Sequence, residues 1–370
     1  MMEVCKKSKC IGCLNCKKVC KFNAIDIEKD KLGFIYPVIN KNCKNCESCK
    51  KKCPIIIDNK NETLLNICYA GKNKNDNIRK KSSSGGIFFL LAEEELKSGI
   101  VYGASYTKNV LRHVRITKMD ELEKILGSKY LQSDLDDVFE EIEEELKNGT
   151  NVLFCSTPCQ VAALKIFLQE DYDNLFTIDF ICHGVGSLKV LNYHLNDILK
   201  STKSKEIKSI NFRDKSTGWN KFSMSINTEK EKYSKVHSED NFMKTFLYNL
   251  CLRESCYQCK FKQNNRCSDI TLADFWGINK VIENFDDDLG TSAIIINTKK
   301  GKDKFDLIKN HMLLSKVKYE EINKNNISLS NTSLYNKCRD EFINNVIENK
   351  TLQKLDNNYF RRENGEKYNK

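Results

Sequence analysis

Residues 10–20 read CIGCLNCKKVC and residues 43–53 read CKNCESCKKKC. Cys10, Cys13, Cys16 and Cys20 therefore follow C-x2-C-x2-C-x3-C, and Cys43, Cys46, Cys49 and Cys53 repeat that spacing, closing on Pro54. Tight turns at this spacing let three thiolates of one run cap three irons of a cubane, while the fourth cysteine of each run reaches the other run's cluster. Two 4Fe-4S clusters are expected, one on Cys10, Cys13, Cys16 and Cys53, the other on Cys43, Cys46, Cys49 and Cys20. Structural zinc sites usually pair two C-x2-C knuckles and lack the third cysteine and the x3 step. Lys21, not proline, follows Cys20, which weakens that turn but leaves the ligand intact.

Between the runs, Ala24 to Ile27 and Phe34 to Ile39 alternate as a short hairpin, and the whole segment resembles a two-cluster bacterial ferredoxin module. Nine of the eighteen cysteines precede Pro54. The expected organisation is a ferredoxin domain at 1–57, a polar linker at 58–79, a larger mixed α/β domain at 80–348 and a polar, mobile tail at 349–370. The fold class is α+β to α/β, a small ferredoxin-like domain followed by a larger flavin-binding one. The linker stretch contains NKNE and GKNKNDN, with a short strand at Ile67 to Ala70 as its one ordered candidate.

Downstream, apolar periodicity predicts helices at Ile87 to Leu96, Asp134 to Lys147 and Gln160 to Leu168. Strands are predicted at Ile100 to Tyr106, His113 to Thr117, Asn151 to Cys155, Phe176 to Cys182, Ile207 to Phe212, Phe222 to Asn227, Ile270 to Phe275 and Ala293 to Asn297. A strand, helix, strand order across 151–182 implies a parallel crossover, which brings the ends at Cys155 and Cys182 to one sheet edge beside Cys159. Cys256 and Cys259 add a further C-x2-C. The expected third ligand set is Cys159, Cys182, Cys256 and Cys259, with Cys155 and Cys267 as substitutes. A cysteine ending a buried strand is more often a small hydrophobe, so Cys155 reads as core, as does Cys251 on an apolar helical stripe. Cys5, Cys68 and Cys338 sit in no ligand spacing.

Lys81-Ser82-Ser83-Ser84-Gly85-Gly86 precedes a predicted helix. Hydroxyls, glycines, helix-end N–H groups and a lysine there suit a cofactor pyrophosphate. The plain alternative is a serine N-cap beside solvated lysines. Gly127 to Tyr130, carrying Lys129, is a basic aromatic loop of the same kind, and Phe212-Arg213-Asp214-Lys215 adds further cations. His183 stands beside Cys182 at the predicted site edge, where it could donate to a flavin or a cluster sulfur.

KSSSGG at 81–86, GSKYLQS at 127–133, STPCQ at 156–160, DFICHG at 179–184, then FRDK, GW, CYQCKF and SDITLADFWGI resemble, in that order, the coenzyme F420 hydrogenase/dehydrogenase beta-subunit family. The resemblance spans roughly residues 80–298. It implies an iron-sulfur flavoprotein with FAD held by Lys81, Ser82, Ser83, Ser84, Gly85, Gly86, Lys129 and Lys215. It further implies Cys159, Cys182, Cys256 and Cys259 as cluster ligands, and His183, singled out by its place at the strand end beside Cys182, is the expected catalytic group. Electrons would pass between a small-molecule donor or acceptor, a deazaflavin or another, and a redox partner protein such as a ferredoxin or a larger oxidoreductase complex. The rival reading is a polyferredoxin subunit without flavin.

The formal charge of +11 invites a nucleic-acid reading. The lysines, however, are interleaved with acids, as in LEKILGSKYLQSDLDD, which describes a solvated surface and no basic stripe. Each 4Fe-4S core with four thiolates adds about −2, so the excess of lysine partly offsets anionic cofactors. No apolar run approaches the roughly 18 residues of a membrane span, and the N-terminus lacks an apolar signal core. A cytoplasmic protein with reduced cysteines and no nucleic acid or membrane partner is expected.

Overall fold

The computed structural model describes residues 3–58, 64–107, 109–262, 266–353, 355 and 357–360. The N-terminal unit is built on an antiparallel hairpin of β1 (Ile25–Lys29) and β2 (Ile35–Ile39). Asp30 closes its turn by accepting from the Phe34 N–H at 2.9 Å. Two single-turn helices, Asn15–Lys18 and Ser48–Lys51, lie one in each cysteine run. Leu14 and Glu47, each directly after the second cysteine of its run, both enter these helices in the left-handed region at φ 60°. That conformation is uncommon for a side-chain-bearing residue, so its recurrence at matched positions marks an internal repeat of backbone as well as of sequence.

The larger unit carries an eight-stranded mixed sheet. Its strands are β3 (Ile67–Asn73), β4 (Gly99–Thr107), β5 (Val110–Ile116), β6 (Asn151–Ser156), β7 (Leu175–Phe180), β11 (Ile270–Asp274), β12 (Ser292–Ile296) and β13 (Met312–Val317). The order is β13-β3-β12-β11-β7-β6-β4-β5. β4, β6, β7 and β11 run parallel to one another, and the flanking pairings are antiparallel. A second sheet of β8 (Ile207–Asp214), β9 (Ser223–Thr228) and β10 (Lys232–Val236) is wholly antiparallel and separate. The strands predicted at 207–212 and 222–227 belong to this sheet and not to the main one.

The helix Pro158–Leu168, PCQVAALKIFL, buries eight of its eleven residues. It is apolar nearly all round because it has no solvent face to speak of. One side packs on β6, and on the other Asn15 of the N-terminal unit donates to the Ala163 carbonyl at 2.8 Å. The two units are further tied by Lys52 donating to the Phe167 carbonyl (2.6 Å), Ser187 to the Leu32 carbonyl (2.6 Å) and Lys18 to Glu140 (2.6 Å).

Two boundaries differ from expectation. Within 58–79, residues 59–63 lie outside the described residues, but β3 runs through the main sheet between β12 and β13, and the helix Asp76–Lys81 follows it. β3 contains the short strand expected at Ile67 to Ala70 and runs three residues further, where Lys72 reaches Asp287 at 3.1 Å, and Asn75 then caps the next helix by accepting from the Asn77 N–H. The tail is docked at its start. Leu352 is fully buried, its N–H donates to Asp197 at 2.7 Å, and Tyr359 packs on Phe342. Residues 361–370 of that tail lie outside the described residues.

Candidate functional site

The cysteines gather in three groups. Cys10, Cys16 and Cys53 are buried, Cys13 is close to them, and the four act on one another electrostatically. Cys13 is pushed up to about 12, first by burial and then, among other causes, by the neighbouring thiols. Cys5, which no spacing singled out, packs beside Cys53, and Cys10 and Cys53 raise its thiol. Cys20, Cys43, Cys46 and Cys49 line a second cavity of about 360 Å³, with Phe22 and Lys44 on its wall. Val4, Ile25 and Cys16 form an apolar core that touches Cys53 of the first group and Cys20 and Cys49 of the second.

Cys159, Cys182, Cys256 and Cys259 line an open cleft of about 670 Å³ between the two units. Burial first, and the neighbouring Cys259 second, push the Cys159 thiol up, and burial pushes Cys182 up to about 11 and Cys256 to about 12. Four thiols so placed resist ionising together unless a cation or cluster binds them. Among the described residues, no three His, Cys, Asp or Glu side chains converge closely enough for one metal ion. The cysteines ring cavities instead, an arrangement that suits a polynuclear core. Cys155 stands elsewhere: along β6, Val152 and Phe154 face the Pro158–Leu168 helix, whereas Leu153 and Cys155 face the opposite side of the sheet. Period-two alternation alone separates it from Cys159. Cys267, 2% exposed, packs in the core beneath Phe261 and does not line the cleft.

The cleft also holds buried cations that sequence reasoning passed over. Lys262 donates to the Cys182 carbonyl and, at 2.8 Å, to that of Ser328. Arg266 donates to buried Asp179 at 2.9 Å, and its Nε and Nη2 have no hydrogen-bond partner among the described residues. Arg253, 1% exposed, donates to the carbonyls of Cys10 (2.7 Å) and Ile35 (2.8 Å) and to Gln132 (2.9 Å), with Nη2 3.9 Å from Cys10 Sγ. Its charge acts on Cys10 and Cys13 of the first group and Cys256 of the third. The only local signal was a cation beside a cysteine pair, which is too common to single out. His183 lines the cleft, shares a hydrogen bond with Asn249 at 2.7 Å through Nε2 and packs on Phe246.

The helix that follows the 81–86 loop packs with Leu153 and Cys155, on the sheet face opposite the Pro158–Leu168 helix, and the loop itself is joined to two others. Ser128 donates to Ser83 at 2.8 Å, and Lys215 donates to the carbonyls of Arg79 (2.8 Å), Ser84 (3.0 Å) and Leu289 (2.8 Å). Ser82 donates to the Ile78 carbonyl, Ser84 to that of Thr291, and exposed Lys81 pairs with Glu123. Gly85 is glycine for packing: a Cβ there would stand 2.4 Å from the Gly71 carbonyl oxygen. Gly86, at φ +78°, and not a serine, caps the helix Ile87–Glu95. Lys129 is half-buried, donates to the Leu126 carbonyl at 2.7 Å and is held down to about 7 by desolvation. Arg213 donates to Asp274 at 2.5 Å, Trp219 donates to the same carboxylate, and Trp219 stacks on Trp276 with ring centroids 4.6 Å apart. Arg213 Nε and Nη2 and the Thr291 hydroxyl are buried without partners among the described residues. Buried donors left unpaired beside lysines and aromatic planes are what an anionic, aromatic ligand would satisfy.

The fold and the doubled cysteine runs define a dicluster iron-sulfur protein, and residues 9–56 match the 4Fe-4S dicluster domain. Residues 68–140 and 149–322, about two thirds of the chain together, match the coenzyme F420 hydrogenase/dehydrogenase, beta subunit, N-terminal and C-terminal regions. The chain therefore belongs to the coenzyme F420 hydrogenase/dehydrogenase beta-subunit family, and with it to oxidoreductase subunits. Among solved structures, a chain of the F420-reducing [NiFe] hydrogenase complex from Methanosarcina barkeri is similar over 79% of this chain and 91% of its own, at 17% identity and a TM-score of 0.45. No curated protein matches the chain. No helix among the described residues is long and apolar enough to cross a membrane.

Proposed function

We propose that this chain is an iron-sulfur flavoprotein that passes electrons between a small-molecule two-electron donor or acceptor and a redox partner protein. The observation that carries the reading is that the first cysteine group adjoins both others: Arg253 acts on Cys10 and on Cys256 of the cleft, and one apolar core touches Cys16 and Cys53 as well as Cys20 and Cys49. In this reading Cys10, Cys13, Cys16 and Cys53 hold one 4Fe-4S cluster and Cys20, Cys43, Cys46 and Cys49 another. Cys159, Cys182, Cys256 and Cys259 hold the third, and Cys155 and Cys267 are core.

FAD belongs at the 81–86 and 127–130 loops, and when bound it supplies a two-electron centre beside one-electron carriers. Lys129 and the unpaired N–H groups of Arg213 would compensate its negative charge, and the Ser83 and Ser84 hydroxyls would line its pyrophosphate. Lys215, with its amine spent on three carbonyls, positions the loop, and Lys81 stands at its outer rim. His183 fixes the cleft wall at Cys182 through Asn249 and Phe246. Lys262 and Arg266 place positive charge around the third cysteine group, which favours its thiolates. The donor is a deazaflavin such as coenzyme F420, or a nicotinamide, and the compartment is the cytoplasm.

Protein purified anaerobically should contain about twelve irons and one FAD per chain. About eight irons with flavin would remove the third cluster. Iron without flavin after denaturation would favour a polyferredoxin subunit, and zinc without iron would sink the scheme. Reduction trials with deazaflavin, nicotinamides and reduced ferredoxin then identify the donor.

A further inference from the structure

The second cysteine group faces outward, and its rim has a composition of its own. Cys46 is exposed, whereas Cys10, Cys16 and Cys53 are buried and the third group lies in the cleft beneath the N-terminal unit. Phe22, 44% exposed, and Lys44 stand on the cavity wall, Lys51 acts on Cys46, and Lys21 and Lys41, next to the cysteine runs in sequence, are exposed as well. Of the acids near this face, Glu47 is paired with Lys50 at 2.6 Å and Asp26 accepts from Asn40 at 3.1 Å. The other lysines of this unit near the interface are spent inward, Lys18 on Glu140 and Lys52 on the Phe167 carbonyl. An exposed aromatic ring accompanied by exposed lysines is the form of a docking face with an apolar centre and charged surroundings.

We propose that this face is where electrons leave or enter the chain, by docking a small acidic one-electron carrier protein over Cys46. The inference rests on the electron-transfer reading of the dicluster domain and adds which of its two cysteine groups meets the partner. Charge selects the occupant: a second copy of this chain, formally +11 and still positive after about −2 for each of three clusters, presents the same lysines and would be repelled, while an acidic carrier is attracted to the lysine rim. In the exchange one electron passes from the reduced cluster on Cys20, Cys43, Cys46 and Cys49 to the oxidised carrier, and no bond or proton changes hands.

The test uses the full-length, anaerobically purified, oxidised protein and measures binding by calorimetry. The probes are an acidic plant-type two-iron ferredoxin and a basic cytochrome c. The ferredoxin should bind, with affinity falling about tenfold between low and near-physiological salt as the rim is screened. Lys41→Glu with Lys51→Glu should weaken binding at least about tenfold and flatten the salt dependence, and Phe22→Ala should weaken it at every salt concentration. Lys118→Glu, an exposed position on the larger unit, should change nothing. Iron content and cluster spectra of each variant are recorded first, so loss of the clusters themselves is seen before any binding is scored. Binding to the oxidised protein is also independent of whether flavin is present. Preference for cytochrome c, ferredoxin binding unmoved by the double variant, or tighter lysine-dependent binding of a single-stranded oligonucleotide would each overturn the proposal.

Discussion

Replacing Arg253 by methionine removes one buried charge from between the first and third cysteine groups while keeping a side chain of comparable reach. In the structure that guanidinium approaches Cys10 Sγ to 3.9 Å and donates to three acceptors. Two unit charges at that distance interact by about 4 kcal/mol at an effective dielectric near 20. An electron added to a cluster is spread over the cubane, whose centre would lie roughly 7 Å from the charge, so about 2 kcal/mol is lost, or about 100 mV for a one-electron couple. The midpoint potential of the cluster on Cys10, Cys13, Cys16 and Cys53 should therefore fall by about 100 mV in a redox titration followed by electron paramagnetic resonance. Stability should fall separately, by about 3–5 kcal/mol, because the Cys10 and Ile35 carbonyls and the Gln132 side chain lose a charged donor. Arg253→Lys keeps the charge but not the fork, and should recover most of the potential and little of the stability. An unchanged or raised potential in Arg253→Met, with the cluster intact, would refute the electrostatic role.

Cys182→Ser should lower iron by about four atoms per chain, whereas Cys155→Ser and Cys267→Ser should leave iron unchanged, measured by chelation assay on anaerobic protein. Gly85→Ala forces a Cβ onto the Gly71 carbonyl and should lower the unfolding temperature by several degrees while releasing flavin, both read in one fluorescence melt. His113 is buried between Ser133 and the Cys155 carbonyl and held down to about 4 by desolvation. The unfolded chain takes up this proton first, so the contribution of His113 is present above pH about 6.5 and is lost as pH falls toward 4. Between pH 7.5 and 5.5 the wild type should lose about 1 kcal/mol more than His113→Gln in urea unfolding; equal losses would count against this assignment.

Local spacing carries far in this chain where the chemistry is local. Both cysteine runs and the hairpin between them are legible because each turn closes over two or three residues, and the left-handed Leu14 and Glu47 repeat with them. The parallel β6 and β7 pair is legible because fully buried strands are continuous apolar runs. Composition hid the extension of β3 past Ala70, where Lys72 finds a partner as distant in sequence as Asp287, and the docking of residues 351–360, where isolated Leu352 and Tyr359 anchor a polar segment.

What the amino-acid sequence determined by itself is thus the dicluster module, the alternation of strands and helices behind it, and the short list of later cysteines from which a third group could be drawn. The tertiary structure decided which of those cysteines share a cleft, since strand alternation turns Cys155 to the other face of the sheet. It also set the seating of the module, with Arg253 wedged against Cys10 and the lysines divided between the interface and the outer rim. These are decisions about faces and about partners some hundred or more residues apart. Spacing along the chain cannot record them, because they exist only once the sheet has separated two sides and the two units have closed on each other.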